Sequence, residues 1–158
     1  MTKILETKNL TKRYKDFTAL KNVSITVQKG DVYGLVGKNG TGKTTFFKLV
    51  MGLTQRSDGD ININELENLN TGRSKIGFMI GLSFFPYLNA YQNIEYYRRM
   101  KGIKDKEETK RVLKLVELYE VKKPFKSFSM GMKQRLGIAN ALLGNPPIVI
   151  LDEPVNRT

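Results

Sequence analysis

The chain has 158 residues, of which 27 are Lys or Arg and 15 are Asp or Glu, so its net charge is +12. This length predicts about one domain. The absence of cysteine excludes a disulfide framework, a thiolate metal site and a cysteine nucleophile, and the absence of histidine removes the usual acid/base group near neutral pH. Most hydrolase triads and most zinc chemistry are therefore excluded.

The sequence contains no apolar stretch of the roughly 18 residues that a membrane span needs, and its first ten residues lack the apolar core of a signal peptide. We therefore expect a cytosolic protein. The excess positive charge suits an anionic partner, such as a nucleotide, a nucleic acid or an acidic membrane face, or is simply a solvated basic surface.

The first half of the chain predicts strands around one helix. Alternation of apolar and polar residues over 4–8 and 20–27 predicts an antiparallel strand pair. The continuous apolar run at 32–36 predicts a strand buried on both faces of a parallel sheet, and apolar spacing over 43–51 predicts a helix. Two further strands are predicted at residues 60–64 and 75–80.

The second half of the chain predicts three helices before a last strand. Asn89 and Ser129 are suitable N-caps for helices that end near Met100 and Gly144, and amphipathic spacing predicts another helix over 105–118. The last strand is predicted at 148–151. These elements predict an α/β frame that is interrupted by a mostly helical insert.

A glycine-rich loop follows the strand predicted at 32–36. Residues 37–44 read GKNGTGKT and match the pattern G-x-x-x-x-G-K-[S/T]. Glycines let successive backbone N–H groups converge on phosphate oxygens, Lys43 reaches the β and γ phosphates, and the Thr44 hydroxyl is a ligand for Mg²⁺. A glycine-rich turn without a ligand would not require this lysine and threonine together. The pattern therefore predicts a site for a nucleoside triphosphate with Mg²⁺.

Two carboxylates end the last predicted strand. Asp152 and Glu153 follow the apolar run 148–151, and ligands bind at the carboxyl ends of strands in α/β sheets. Paired with the phosphate loop, Asp152 would hold Mg²⁺ through its water shell, and Glu153 would polarise or deprotonate an attacking water. An ordinary acidic turn is the alternative.

A third motif begins the helix that Ser129 caps. Residues 128–135 read FSMGMKQR, in which Gly131 gives close access to the backbone. The free N–H groups and the dipole of such a helix start suit an anion. Taken alone, an ordinary capped helix is the simpler explanation.

The sequence resembles the ATP-binding subunit of ATP-binding-cassette (ABC) transporters over nearly the whole chain. The resemblance rests on the order of its segments, which are the phosphate loop, the helical insert, the capped helix and the Asp-Glu strand. Residues 128–135 depart from the family's usual LSGGQQQR in a way similar to bacterial peptide-antibiotic exporters of the bacitracin resistance group. The resemblance implies an α/β fold, a P-loop NTPase core of the ABC type. Its implied parts are an N-terminal antiparallel β part (1–30), a nucleotide-binding core (31–83 and 145–158) and a helical signature subdomain (84–144).

The resemblance also implies site residues for ATP and Mg²⁺. Tyr14 would lie against adenine, unless it is an edge-strand packing residue. Thr44 and Asp152 would hold Mg²⁺, and Glu153 would be catalytic. The residues that match the family's phosphate loop are Gly37, Asn39, Gly40, Thr41, Gly42, Lys43, Thr44 and Thr45. Those that match its signature, which contacts the ATP of the opposite subunit, are Ser129, Gly131 and Gln134.

The sequence departs from the family where catalysis is concerned. Residues 79–83 (MIGLS) offer no glutamine or glutamate where the family has one that reaches the metal and the attacking water. The family's domain continues beyond the Asp-Glu strand and includes a histidine that contacts the γ phosphate. This chain contains no histidine. We therefore expect a C-terminally incomplete domain with a truncated core sheet, and a poor ATPase or none.

The resemblance implies a membrane-spanning partner subunit, self-association such as a homodimer, and a position on the inner face of the cell membrane. An aromatic-rich stretch lies where the family's helical insert meets the membrane subunit, and it would form a docking surface unless its rings fill the helical core. Those rings are Phe84, Phe85, Tyr87, Tyr91, Tyr96 and Tyr97.

We therefore expect the ATP-binding subunit of an ABC exporter, which couples ATP to transport by a membrane partner. One alternative is a non-catalytic nucleotide-binding or interaction module. Another is a soluble ABC-type ATPase that acts on nucleic acid or ribosomes, which only the charge of +12 favours. No specific nucleic acid partner is expected.

Overall fold

The described chain forms two compact units, Met1–Ile76 and Gly77–Thr158. None of the helices in its described ranges is long and apolar enough to cross a lipid bilayer. The computed structural model describes residues 1–38, 40–63, 73, 75–79 and 83–152.

Three antiparallel strands form the sheet of the first unit. β1 (Lys3–Tyr14) pairs with β2 (Phe17–Gln28) on one side and with β3 (Asp58–Ile63) on the other. Leu10, near the middle of β1, is fully buried. The antiparallel pair and the strand predicted over 60–64 are therefore confirmed.

The first unit also contains α1 (Lys43–Val50), which confirms the helix predicted after the glycine-rich loop. Its apolar residues recur at helical spacing, so that Phe46, Leu49 and Val50 are buried while the opposite face remains in solvent. Gly52 follows with a φ of +75°, a backbone conformation that glycine adopts readily and that ends helices.

In the second unit, β4 (Ile76–Met79) and β5 (Ile148–Leu151) form a two-stranded sheet. The N–H of Asp152 donates to the carbonyl of Met79 at 3.0 Å, which continues the pairing past the end of β5. Both strands lie where apolar runs predict them.

Two of the three α-helices described in the second unit begin after the capping residues that the sequence predicts, Asn89 and Ser129. Asn89 and Gln92 form a capping box, in which each backbone N–H donates to the other residue's side-chain oxygen, at 3.0 and 2.9 Å. The helices are α2 (Ala90–Met100), α3 (Glu107–Leu115) and α4 (Met130–Leu142).

These helices enclose one apolar core. The helix predicted over 105–118 is shorter than expected because the chain turns at Glu117, whose φ is +59°. All three predicted helices are otherwise confirmed. The buried residues of the core are Ala90, Ile94, Val112, Leu113, Val116, Leu118, Phe125, Phe128, Leu136, Ala139 and Leu143.

The strand predicted at 32–36 is wrong. These residues belong to neither described sheet, and Val32 and Val36 are fully exposed. A strand buried on both faces needs hydrogen-bonding neighbours and a covering layer on each face. Within the described ranges, β1, β2 and β3 form one sheet and β4 pairs only with β5, so none of these strands pairs with this segment.

Glu95 connects α2 to α3 through its carboxylate. It accepts hydrogen bonds from Arg98 Nε at 2.9 Å and from Thr109 Oγ1 at 2.7 Å. Arg98 donates a second bond from Nη2 at 2.5 Å, and Arg99 Nε donates a further one at 3.1 Å. The hydrogen bonds from Arg98 are the main reason why the pKa of Glu95 falls from 4.5 to about 2.

We predict that Glu95→Gln lowers the free energy of unfolding at pH 7 by about 2 kcal/mol, because it removes hydrogen bonds to a charged group and leaves the buried Arg98 without its carboxylate partner. The folded pKa lies below the ordinary value, so this contribution is complete above pH 4.5 and is lost as the pH falls towards 2. Urea unfolding of the wild type should therefore show a steeper loss over that range than the variant does. The exposed Glu120→Gln is the control, and equal slopes for wild type and Glu95→Gln would contradict the prediction.

Candidate nucleotide-binding site

The described motif residues before α1, at 37, 38 and 40–42, include a hydrogen-bonded turn. Thr41 donates from its N–H and from its hydroxyl to the carbonyl of Lys38, at 3.3 and 2.7 Å. The ammonium of Lys43 donates to the carbonyl of Gly37, across the loop. The lysine side chain is thereby held over the loop's own backbone, where an incoming phosphate oxygen can replace the carbonyl.

Gly42 fixes the end of this loop against β2. Its φ is +90°, and a Cβ added there would lie 2.3 Å from the carbonyl oxygen of Ala19 and 3.2 Å from Leu20 Cδ1. A side chain at this position would strain the backbone and would collide with β2. The start of α1 is therefore anchored on the β1–β2 pair.

The start of α1 has the electrostatics of an anion site. Gly42 is its N-cap and offers no side-chain acceptor, and the first turn contains no acidic residue. The first backbone N–H groups of a helix have no partner within the helix, and they carry a partial positive charge. Lys43 adds a full charge at the same end. Thr44 and Thr45 follow the lysine in the first turn of α1. Thr44 is exposed and Thr45 is half-buried.

Tyr14 lies at the end of β1, opposite Phe17 of β2. The two rings stack with their centroids 5.2 Å apart and an angle of 27° between their planes. Lys12 Nζ lies 5.0 Å from the centroid of the Tyr14 ring. Because Tyr14 remains 42% exposed, it has surface for a further flat group, as its expected position against adenine requires.

Asp152 directly follows β5 and is half-buried. Its carboxylate and the Thr44 hydroxyl are oxygen ligands of the kind that Mg²⁺ prefers. Among the described residues, no group of three or more acidic side chains gathers that could hold a cation alone. Each of these donors suits a cation that is bound mainly by phosphate oxygens and water, with one or two protein ligands. The predicted residues Asn39 and Glu153 lie outside the described residues.

The signature-like segment begins α4 as the sequence predicts. Ser129 Oγ accepts a hydrogen bond from the N–H of Met132 at 3.2 Å, so the predicted cap is confirmed. A Cβ added at Gly131 would meet no atom within 4 Å, which leaves open space beside the backbone there. Gln134 is half-buried one turn further on. Their contact with a nucleotide of another copy remains a prediction.

The six rings of the aromatic-rich stretch divide between core and surface. Phe84 and Tyr97 pack against the helical core. The other four rings are exposed, so the core expectation holds for two of the six, and a docking surface formed by the exposed rings remains a prediction. The exposed members are Phe85, Tyr87, Tyr91 and Tyr96.

Sequence reasoning missed two features of this site. The contact between Gly42 and the Ala19 carbonyl joins residues 23 positions apart, and no local pattern in the sequence indicates it. In the sequence, Phe17 resembles an ordinary strand residue. It follows Tyr14 by three positions, however, and at this spacing a tight hairpin places two side chains opposite each other.

The chain matches the ABC transporter family over residues 20–156. It is 40% identical to the bacitracin transport ATP-binding protein BcrA of Enterococcus faecalis, over 99% of this chain and 52% of that protein. It is 39% identical to the lantibiotic transport ATP-binding protein SrtF of Streptococcus pyogenes, over 97% of this chain and 67% of that protein. The chain thus spans about half to two thirds of the length of the curated relatives it matches.

Solved structures show the same fold. The dimeric ATP-binding cassette MJ0796 with ADP and phosphate has a TM-score of 0.79 at 32% identity, over 96% of this chain and 75% of that chain. An ABC transporter ATP-binding protein from Pyrococcus furiosus has a TM-score of 0.82 at 29% identity, over 97% and 76%. The predicted α/β fold of the ABC type is therefore confirmed.

We predict that Gly42→Ala lowers the free energy of unfolding by about 3 kcal/mol, because the new Cβ adds a collision with the Ala19 carbonyl to a positive φ. Gly40→Ala is the matched control, since its φ of +84° is similar but a Cβ there would meet no atom within 4 Å. It should cost only about 1 kcal/mol. Urea unfolding measures both, and equal losses would show that the contact with β2 does not hold the loop.

Proposed function

Because the chain belongs to the ABC transporter family, we propose that it is the ATP-binding subunit of an exporter and holds the phosphates of ATP on residues 37–45. The observation that carries this proposal is the geometry of the loop. Lys43 lies over the loop backbone, and the start of α1 has no side-chain cap and no acidic residue in its first turn. A site with these properties favours a highly charged anion such as a triphosphate.

Binding exchanges contacts within the loop for contacts with phosphate. Lys43 releases the Gly37 carbonyl and donates to phosphate oxygens, which are better acceptors because they are charged. Backbone N–H groups over residues 40–45 donate to the same anion. The anchor at Gly42 keeps these groups in place before the ligand arrives, so that little ordering is needed on binding.

Mg²⁺ bound with ATP offsets the charge of the phosphates. The proposed protein ligands are the hydroxyl of Thr44 and, through water, the carboxylate of Asp152. Glu153 is the proposed catalytic residue that orients or deprotonates the attacking water, since it follows Asp152 directly in the sequence. Adenine is proposed to stack on Tyr14, whose exposed ring accepts any purine without a hydrogen-bond code.

We further place a second copy of the chain opposite this site. Ser129, Gly131 and Gln134 would then present the start of α4 to the ATP of the other copy. The open space beside Gly131 supports this role, because it leaves the backbone at the start of α4 accessible. The solved cassette MJ0796 is a dimer with ADP and phosphate, which is the same class of assembly.

The relatives suggest the transport reaction and the membrane partner. Their names describe bacitracin and lantibiotic transport, so a peptide antibiotic is the proposed cargo of the complete transporter. A membrane-spanning subunit would bind the exposed aromatic residues that flank and begin α2, at the inner face of the cell membrane. Such amphipathic rings are common in protein interfaces.

The second candidate function is nucleotide binding without efficient turnover. It is favoured by residues 79–83 (MIGLS), which offer no glutamine or glutamate where the family has one that reaches the metal and the attacking water. Phosphate release separates the two functions. Steady release that Glu153→Gln abolishes supports the first function, and binding of Mg-ATP without release supports the second.

We predict that Lys43→Ala weakens binding of Mg-ATP about 100-fold, because it removes the charged donor to the phosphates. Lys48→Ala is the matched control, since it removes an exposed lysine from the last turn of the same helix. It should change the affinity less than about threefold. Isothermal titration calorimetry measures both. Absence of binding to the wild type, or equal effects of the two substitutions, would contradict the proposed function.

A further inference from the structure

Tyr119, in the connection between α3 and α4, lies close to three lysines. The ammonium groups of Lys110, Lys114 and Lys122 are 5.6, 5.7 and 5.8 Å from the centroid of its ring. Lys110 and Lys114 are one turn apart on α3, and Lys122 follows the tyrosine by three residues. The other rings with a lysine over them in the described ranges have one each. We call Tyr119 and its three lysines the lysine cluster.

The lysine cluster has no carboxylate partner in the part of the chain that the structure describes, since none of its lysines forms an ion pair there. Two nearby carboxylates have other partners: Glu108 pairs with Arg111 at 2.6 Å, and Glu117 lies 3.9 Å from Arg135. The ring attracts each ammonium but carries no net charge to offset it. Three positive charges in one place therefore favour a partner that brings negative charge.

Tyr91 adds an exposed ring to the lysine cluster. It meets the ring of Tyr119 edge to face, with 6.5 Å between the centroids, and is 40% exposed. Tyr119 and Lys110 are half-buried, and the other two lysines are exposed. Tyrosine combines an apolar body with a polar hydroxyl, and lysine has its charge at the end of an apolar stem. Both residue types suit the boundary between water and lipid.

The residue types of the lysine cluster favour a lipid surface over an acidic protein. Protein interfaces are enriched in arginine and depleted in lysine, and arginine forms bidentate bonds with carboxylates. All three cations of the cluster are lysines, which are compact point charges on flexible stems. Such charges do not need a fixed carboxylate geometry, and they are attracted to the many headgroups of an anionic leaflet.

Tyr91 also connects the lysine cluster to the surface that is proposed to bind the membrane-spanning subunit. It is the second residue of α2, and the other exposed rings of that surface lie on both sides of it in the sequence. A membrane-spanning subunit that binds at this end of α2 would hold the same end close to lipid headgroups. The two surfaces would then meet at Tyr91.

From these observations we propose that the lysine cluster, together with Tyr91, binds the headgroups of anionic phospholipids. The setting of this contact in the cell rests on the proposed function, but the contact itself needs neither ATP nor a membrane subunit. It would turn this end of α2 and the exposed face of α3 towards the membrane.

Sedimentation with lipid vesicles tests the inference on the full chain. The vesicles contain phosphatidylcholine alone, or equal parts of phosphatidylcholine and phosphatidylglycerol. The wild type should bind the anionic vesicles and not the neutral ones, because the attraction is electrostatic. The triple variant Lys110→Gln, Lys114→Gln and Lys122→Gln should bind the anionic vesicles about 100-fold more weakly. Binding that this variant retains in full would overturn the inference.

A second triple variant controls for the net charge of +12. Lys21→Gln, Lys29→Gln and Lys48→Gln remove the same charge from exposed lysines of the first unit, which likewise form no ion pair with the described residues. This control should weaken vesicle binding less than about tenfold. Equal losses in the two triple variants would show that the chain binds through its total charge, and would overturn the inference.

A single tryptophan can report lipid contact, because the chain contains none. The fluorescence of Tyr91→Trp should be quenched by anionic vesicles whose lipid chains are brominated. Tyr33→Trp is the control, since Tyr33 is 52% exposed and belongs to the first unit. It should not be quenched. Absence of quenching in Tyr91→Trp, or equal quenching in both variants, would contradict a contact at the lysine cluster.

Polyglutamate serves as the probe for an acidic protein partner. Polyglutamate binding that needs the three lysines, without quenching of Tyr91→Trp by brominated vesicles, would overturn the lipid inference in favour of such a partner. The triple variant of the lysine cluster should bind Mg-ATP as the wild type does. Failure of vesicle binding therefore overturns this inference alone, and failure of Mg-ATP binding overturns the proposed function alone.

Discussion

The close approach between Gly42 and the carbonyl of Ala19 is the contact on which the candidate site depends. It requires a residue without a side chain and with a positive φ at the point where the phosphate loop becomes α1. Because Ala19 belongs to β2, the contact joins the loop to a sheet whose register is set by pairing on both sides of β1. The loop therefore has a rigid support, although its own residues are mostly small and exposed.

The same support relates the two ends of the proposed nucleotide site. The hairpin of β1 and β2 carries the stacked pair Tyr14 and Phe17 at its tip and the anchor for the loop at Ala19. Stacking needs only a flat surface, and phosphate binding needs only converging donors with positive charge. Both requirements are met in the first unit. The second unit builds its own core and supplies the capped start of α4.

Much of the fold could be predicted because its signals are local. Alternation predicts β1 and β2, and the caps at Asn89 and Ser129 predict where helices begin. The segment 32–36 was mispredicted because an apolar run says nothing about whether a neighbouring strand is present to pair with it. The loop motif identified Lys43 and Thr44, but the stacking of Phe17 on Tyr14 depends on a contact across a hairpin that the motif does not include.

Amide hydrogen exchange over residues 40–45 tests most directly whether this anchored loop binds phosphate. Saturating Mg-ATP should slow exchange of these amides at least tenfold, since the N–H groups become donors to the ligand and closed to solvent. Mg-tripolyphosphate should protect the same amides, and Lys43→Ala should remove the protection. Binding of Mg-ATP that leaves exchange over 40–45 unchanged would contradict the account, because the phosphates would then lie elsewhere on the protein.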